Sequence, residues 1–137
     1  MNYAFRVTAC AVALAASACT GGDVVAATTD VPAAAHLVVL YNFPKDTAAF
    51  EKYYAQTHLP LLAANAKEIG FTKGVLVKFT STLDGKPPTY YRKAELTFSS
   101  MAALKTGLAT PGFKKIGDDL PNFATGGLVA LIGEETK

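Results

Sequence analysis

Residues 50–62 read FEKYYAQTHLPLL, and this segment decides the fold of the chain. Its apolar and aromatic positions recur every three or four residues, while Glu51 and Lys52 fall on the other side. This pattern predicts an amphipathic helix, with His58 inside the apolar face. Pro60 has no backbone N–H and crowds the turn before it, so we expect the helix to kink or restart near His58.

A strand is predicted before this helix, and two are predicted after it. Residues 36–43 are β-branched and aromatic, which is typical of a strand, and Asp46 can cap the helix that follows. Residues 71–81 have the alternation of a strand, with Val75, Val77 and Phe79 on one side and Leu76, Lys78 and Thr80 on the other. An Asp-Gly pair and a Pro-Pro pair within residues 84–88 predict a hairpin loop, from which residues 89–98 return as the third strand.

The last third of the chain repeats the pattern of helix and strand. Ser99 or Ser100 can cap a second helix, and Thr110 followed by Pro111 indicates a restart within it. Residues 128–132 are apolar and predict a final strand. The order β-α-β-β-α-β is the ferredoxin-like plan, an α+β fold with both helices on one face of a four-stranded antiparallel sheet.

The other face of that sheet has no predicted cover. In the third strand, alternation places four side chains together on it: Tyr91, Lys93, Glu95 and Thr97. A second copy of the chain, packed sheet against sheet, would bury roughly 800 Å² per partner. The missing cover therefore predicts a homodimer.

The N-terminus has the order of an export signal. A single cation precedes an uncharged, alanine-rich run within residues 1–18, and the run is too short to span a bilayer. Cys19 follows small residues, as in a bacterial lipobox; the alternative is ordinary cleavage that leaves a soluble protein. We therefore expect a periplasmic protein, lipid-anchored in the first case, with a flexible tether over residues 19–35 and one domain over residues 36–135.

Composition excludes several classes of function for this domain. The formal net charge is +2, without a basic run that would suit nucleic acid. His36 and His58 are the only histidines, and both cysteines precede the domain, so we expect no metal site built from protein ligands. The glycine-rich phosphate loops and the Gly-x-Ser-x-Gly elbow of hydrolases are missing from the sequence.

The residues that remain suit proton transfer. Tyr54 and His58 are spaced four apart, which makes them neighbours on one helical face. His58 can exchange a proton near neutral pH, and Tyr54 can orient it or polarise a carbonyl group. The alternative is that His58 is a partly buried histidine near a helix end and that Tyr54 serves packing alone.

Four further residues are candidates for a pocket wall. On an inward-facing strand, the carboxylate of Glu95 would need a partner such as His58, Lys93 or a substrate proton; on a wet face it would be ordinary surface. Asp119 can hydrogen-bond within a pocket or cap the turn that follows it. Tyr41 and Tyr91 can line a cavity for a flat apolar ligand, although aromatic residues on strands more often form plain core.

The chain resembles the EthD family from about Leu37 to Glu134, and five short segments carry the likeness. The segments are Leu-Tyr-Asn-Phe-Pro at 40–44, Phe-Glu-Lys-Tyr-Tyr at 50–54, His-Leu-Pro-Leu at 58–61, Ala-Glu-Leu-Thr-Phe at 94–98 and Asp-Leu-Pro-Asn-Phe at 119–123. The pattern Tyr-Tyr-x-x-x-His-x-Pro contributes most to the likeness.

The resemblance implies a dimeric α/β barrel with a pocket beside each sheet. It also implies a small-molecule enzyme of the oxidoreductase or monooxygenase, cyclase or isomerase type. We expect cofactor-free proton transfer by His58 and Tyr54 on a hydrophobic substrate, which is bound near Tyr41, Tyr91, Glu95, Asp119 and Phe123. The alternative is a non-catalytic periplasmic module that binds an apolar ligand or haem; a domain that serves assembly alone would have no deep pocket.

Overall fold

The computed structural model describes residues 32–136. The predicted export signal, the lipidation site at Cys19 and most of the predicted tether lie outside the described residues. These expectations about the N-terminus stay predictions. The first strand begins at Ala35, one residue before the predicted start of the domain.

The described elements follow the predicted order. They are β1 (Ala35–Tyr41), α1 (Thr47–Tyr53), a π-helical turn (Tyr54–His58), α2 (Leu59–Ile69), β2 (Lys73–Lys78), β3 (Arg92–Phe98), α3 (Met101–Leu108), α4 (Pro111–Asp119), a 3-10 turn (Leu120–Asn122) and β4 (Leu128–Glu134). The sheet has four strands in the order β2-β3-β1-β4, and every neighbouring pair is antiparallel. This confirms the predicted ferredoxin-like fold.

Polar side chains fix the start of each helical segment after a loop. Asp46 accepts a hydrogen bond of 2.9 Å from the backbone N–H of Ala49. Ser100 caps α3 and Thr110 caps α4 in the same way, each through a bond of 3.1 Å to the third residue that follows. Such caps satisfy donors that a helix leaves free at its N-terminus. The predicted caps at Asp46 and Ser100 and the predicted restart at Thr110 are thus confirmed.

The interruption predicted at Pro60 takes the form of a widened turn. The backbone N–H of Leu59 donates to the carbonyl of Tyr54, five residues back, which is the π-helical pattern. Pro60 has no N–H to continue the α-helical series, so the chain accommodates it by this single wide turn. The turn begins at Tyr54 and ends at His58, and both residues are buried.

The predicted hairpin is longer and less regular than its sequence pattern indicates. β2 ends at Lys78 and β3 begins at Arg92, so the prediction that residues 89–98 are all strand is wrong for its first three residues. Thr82 closes the loop: its backbone N–H donates to the carbonyl of Lys86, and its carbonyl accepts from the N–H of Gly85. Gly85 has a φ of +78°, which glycine tolerates without a steric penalty.

The core lies between the sheet and the helices and has two parts. An aliphatic part packs Leu37, Leu96 and Phe98 of the sheet against Ile69, Leu104 and Ile116 of the helices. An aromatic part joins Tyr41, Phe50, Tyr54, Tyr91 and Phe123. Within it, Tyr41 packs edge-on against both Phe50 and Tyr54, at ring-centroid distances of 5.6 and 5.8 Å. The π-helical turn is thereby held against the sheet.

The opposite face of the sheet, which we term the open face, is mostly apolar. Strand register and alternation place on it Val38 and Leu40 of β1, Val75 and Val77 of β2, and Val129 and Leu131 of β4. A polar stripe crosses it, in which Glu95 lies 2.9 Å from His36 and 2.6 Å from Lys93. None of the described helices covers this face.

Gly126 tests the packing at the start of β4. A Cβ atom added there would overlap the carbonyl oxygen of Phe43 and lie 2.8 Å from its carbonyl carbon. We expect Gly126→Ala to lower the free energy of unfolding by about 1–3 kcal/mol, because backbone must move. Thermal denaturation measures the change. Gly133→Ala is the control, since its Cβ would meet no atom within 4 Å; an equal loss in both variants would contradict the prediction.

Candidate functional site

A small cavity lies between the sheet and the helices α2 and α4. Its volume is about 60 Å³, enough for a few water molecules or a small organic group. Most of its wall is aliphatic or aromatic, and its polar groups come from three residues. The lining residues are Leu37, Val39, Tyr41, Tyr54, His58, Leu62, Ala94, Leu96, Phe113, Ile116, Gly117 and Leu120.

His58 is held in the wall of this cavity by Asp119. Its side chain is buried, with the residue only 3% exposed, and its Nδ1 lies 2.8 Å from Oδ2 of Asp119. An ionised carboxylate only accepts hydrogen bonds, so Nδ1 carries the hydrogen and donates it. In the neutral imidazole, this leaves the lone pair on Nε2.

Asp119 is fixed through its other oxygen as well. Oδ1 accepts hydrogen bonds from the hydroxyl of Tyr53 at 2.7 Å and from the side-chain amide of Asn122 at 3.0 Å. Desolvation acts to raise the pKa of Asp119, but the bonds from Tyr53, Asn122 and His58 outweigh it and hold the pKa below the ordinary value. Asp119 is therefore a carboxylate at neutral pH, with all three donors directed at it.

The second ring nitrogen of His58 has no hydrogen-bond partner among residues 32–136. In that part of the chain, the one fully buried side-chain polar atom without a hydrogen-bond partner is Nε of Arg92. Since Nε2 of His58 also has no partner, it is not fully buried, and a water-sized molecule can contact it. Around the ring, Phe123 packs at a centroid distance of 4.5 Å and Tyr54 at 5.3 Å. The imidazole is confined by these two rings, which are tilted by 52° and 31° to its plane, and by Asp119 at Nδ1.

Tyr54 contacts His58 by packing, and Asp119 makes the hydrogen bond that orients it. The expectation that Tyr54 orients His58 is corrected in this respect. The ring of Tyr54 stacks on Phe50 at 5.4 Å, and the guanidinium of Arg92 lies 4.7 Å above it. Burial raises the pKa of Tyr54. The pKa of Tyr41 is raised by burial and by the neighbouring hydroxyl of Tyr54. Both hydroxyls keep their protons at neutral pH.

Two of the predicted pocket residues lie elsewhere. Tyr91 was expected on the open side of β3, but it precedes the strand and packs against α1, where its hydroxyl donates to Glu51 at 2.5 Å. Glu95 does lie on the open face, where its carboxylate contacts His36 and Lys93. Because the sheet separates that face from the helices, Glu95 and His58 do not meet.

The structure brings together the five other candidates and adds two residues. Tyr41, Tyr54 and His58 line the cavity, and Asp119 stands behind His58. Phe123 does not line the cavity, but it packs on the ring of His58. Tyr53 and Asn122 were missed, because they act through Asp119 and a sequence pattern shows no such link between distant residues.

Two kinds of feature are missing from the described part of the chain. No group of three or more histidine, cysteine, aspartate or glutamate side chains is placed to hold a metal ion among residues 32–136. No helix there is both long and apolar enough to cross a membrane.

The comparisons with known proteins assign the family. Residues 44–127 match the model of the EthD domain. The chain belongs to the EthD family. An uncharacterized 11.0 kDa protein from the thcB–thcC intergenic region of Rhodococcus erythropolis is 34% identical over 99 residues, which span 72% of this chain and 92% of that protein.

Solved structures give the same fold for this EthD domain. An EthD family protein from Bacillus halodurans superposes with a TM-score of 0.66 and 28% identity, over 75% of this chain and 99% of the other. A hydroxynitrile lyase from Passiflora edulis gives 0.59 and 12%, over 77% and 96%. A dimeric protein of unknown function with a ferredoxin-like fold from Bacteroides fragilis gives 0.55 and 13%, over 74% and 96%. The last two likenesses are likenesses of fold.

Proposed function

We propose that this EthD domain is a small-molecule enzyme in which Nε2 of His58 takes a proton from the substrate. The observation that carries the proposal is the hydrogen bond of 2.8 Å between Nδ1 of His58 and Asp119. It fixes the tautomer whose free lone pair is on Nε2, and the carboxylate stabilises the imidazolium that forms when Nε2 gains a proton. His58 is then the general base, and Asp119 is its positioning residue.

The cavity supports a substrate that is small, uncharged and largely apolar. His58 is the one histidine in its wall, and no aspartate, glutamate, lysine or arginine lines it. An ionic substrate would lose its hydration without gaining a partner of opposite charge there. A neutral molecule with one acidic O–H or C–H bond would place its proton at Nε2 and its remaining atoms against the apolar wall.

The chemistry that follows proton removal is shared by several enzyme classes. Ring closure, isomerisation, carbon–carbon cleavage and cofactor-free oxygenation can each begin when a base removes a proton from the substrate. The proposal needs no cofactor for this step, because His58 and Asp119 supply the base themselves. A hydroxynitrile lyase shares the fold, and a hydroxynitrile is a neutral molecule with an O–H group, which is the kind of substrate that the cavity suits.

A panel of small neutral compounds tests the proposal. Acetone cyanohydrin reports cleavage, and butanone in heavy water reports proton exchange at carbon; proton NMR follows both reactions. We expect at least one such compound to be converted faster than in buffer alone. Conversion of charged analogues alone, such as lactate, would contradict the assignment of the substrate class.

The second candidate function is a binding module that holds an apolar ligand without converting it. The apolar wall of the cavity favours it. The volume of about 60 Å³ lies below the roughly 300–1,000 Å³ of pockets that bind drug-sized ligands. Haem exceeds a cavity of about 60 Å³, so the domain in this form would take only a small molecule. Native mass spectrometry separates the two functions: a tight ligand recovered unchanged, with no conversion of the panel, would favour the binding module.

We also propose that two copies pair through the open face. Val129 and Leu131 are 39% and 50% exposed on it, and a ferredoxin-like protein of the same fold is described as dimeric. Such a pairing would bury an apolar surface that a monomer leaves in water. It would also enclose the polar stripe of His36, Glu95 and Lys93, in which the ammonium of Lys93 and the carboxylate of Glu95 compensate each other's charge.

Two adjacent residues of β4 test the dimer. Leu131 points to the open face, whereas Ile132, which is 53% exposed, points to the other side of the sheet. We expect Leu131→Lys to convert a dimer into a monomer at micromolar concentration, because the lysine would be buried in the contact. Ile132→Lys is the matched control and should stay dimeric. Analytical ultracentrifugation measures both, and a dimeric Leu131→Lys variant would rule out this face.

We also propose that the protein is exported. A signal within residues 1–18 would deliver the domain to the periplasm, and lipidation of Cys19 would tether it to the membrane. Intact-mass spectrometry of the protein expressed with its leader tests this: a lipid adduct that disappears in Cys19→Ser supports the anchor. An unmodified mature chain supports the soluble alternative, and a retained leader would contradict export.

A further inference from the structure

Helix α4 presents one stripe of side chains to the cavity, and the stripe has a gap. Three of its residues and the first residue of the 3-10 turn that follows it line the wall: Phe113, Ile116, Gly117 and Leu120. Their spacing of three, one and three places them on one helical face. Three of them carry large apolar side chains. At Gly117 there is none, so the wall is incomplete at this point.

Neither backbone conformation nor packing accounts for a glycine at this position. Gly117 is not among the described glycines with positive φ. A Cβ atom there would meet no atom within 4 Å, whereas one at Gly107 or Gly112 would overlap neighbouring atoms. Glycine also destabilises a helix interior relative to alanine. A side chain at position 117 would extend into open space beside the cavity.

We propose that Gly117 is a specificity-determining position, at which the missing side chain lets an apolar part of the substrate extend beyond the inner cavity. The inference rests on the proposed proton transfer at His58. The inner cavity of about 60 Å³ holds only the few atoms next to Nε2. A larger substrate must continue somewhere, and the gap in the α4 stripe leaves it room among Phe113 and Leu120. The substrate class is then a neutral molecule with a proton-donating head and an apolar tail.

A series of linear primary alcohols from ethanol to 1-hexanol probes this gap. Each has one O–H group for Nε2 and a tail of defined length, and NMR shifts of the His58 ring report binding. We expect affinity to rise by about fourfold for each methylene that enters apolar surroundings. In Gly117→Leu, the affinity for ethanol should stay within twofold of the wild type. The increase in affinity with tail length should stop once the tail reaches position 117.

Matched variants make the result decisive. Lys115→Leu places the same side chain on an exposed part of α4 that does not line the cavity, and it should keep the full rise in affinity. Gly117→Ala should melt no lower than the wild type and show an intermediate effect. An unchanged rise in Gly117→Leu would overturn the role of Gly117. The proposed site would stand if His58→Gln still lowers turnover by about 10²–10⁴-fold. If no alcohol shifts the His58 ring in the wild type, both the gap and the proposed site are wrong.

Discussion

Replacement of His58 by glutamine is expected to lower the turnover of any converted substrate by about 10²–10⁴-fold, because the general base is lost. Glutamine has nearly the same length, and its amide can donate to Asp119 in place of Nδ1. The buried carboxylate therefore keeps a partner, and the fold should survive. Initial rates measured by proton NMR give the effect on turnover. Circular dichroism and thermal denaturation verify that the variant is folded.

The control is a glutamine at the neighbouring position. Thr57 lies in the same π-helical turn, but it is exposed and does not line the cavity. Thr57→Gln should keep turnover within about twofold of the wild type. If a folded His58→Gln variant turns over substrate at the wild-type rate, the general-base role of His58 is wrong. If instead both variants bind the same small ligand unchanged and neither converts it, the binding module becomes the better description.

The order of the elements could be predicted because local chemistry determines each of them. The caps at Asp46 and Ser100 mark the helix starts, and the lack of an N–H in Pro60 requires a change within the long helical segment. These effects act over a few residues, so the sequence displays them directly. The loop before β3 is different. The alternation of the strand predicts Tyr91 on the open face. In the structure its hydroxyl contacts Glu51, 40 residues away, on the helix side of the sheet.

The site could be predicted only as a set of residues, without their partners. His58 and Asp119 were both candidates, but 61 residues separate them and no periodicity links them. Tyr54 was the expected partner because it is near in sequence, and the fold gives that place to Asp119. Glu95 was assigned to the open side correctly, and only the layered architecture shows that the sheet separates it from His58. The hydrogen-bond partners of a buried histidine depend on how the elements pack. Composition and residue spacing do not show that packing.

Asp119→Asn is expected to lower turnover by about 10²–10⁴-fold through the wrong tautomer of His58. An asparagine has one acceptor and one donor end. Tyr53 and Asn122 both direct donors at the position of Oδ1, so the amide oxygen should settle there. Its NH₂ group then faces Nδ1 of His58, which must act as an acceptor. The ring hydrogen moves to Nε2, and the base loses its lone pair on the cavity side.

Nitrogen NMR of the imidazole detects this change directly, since protonated and unprotonated ring nitrogens have different shifts. We expect the wild type to carry the hydrogen on Nδ1 and Asp119→Asn to carry it on Nε2. Tyr53→Phe is the control: it removes one donor but keeps the carboxylate, so the tautomer should stay and turnover should fall by less than tenfold. An unchanged tautomer in a folded but inactive Asp119→Asn would contradict the mechanism.

The same substitution has a consequence for acid stability. Hydrogen bonds hold the pKa of Asp119 below its ordinary value of 3.8 in the folded protein. A group of this kind stabilises the fold fully above its unfolded pKa, and the stabilisation is lost as the pH falls through the lower folded pKa. The melting temperature of the wild type should thus fall more steeply below about pH 4 than that of Asp119→Asn, which cannot titrate there. Parallel curves would mean that the donors around Asp119 contribute little to stability, and the carboxylate would then serve to fix the tautomer of His58 alone.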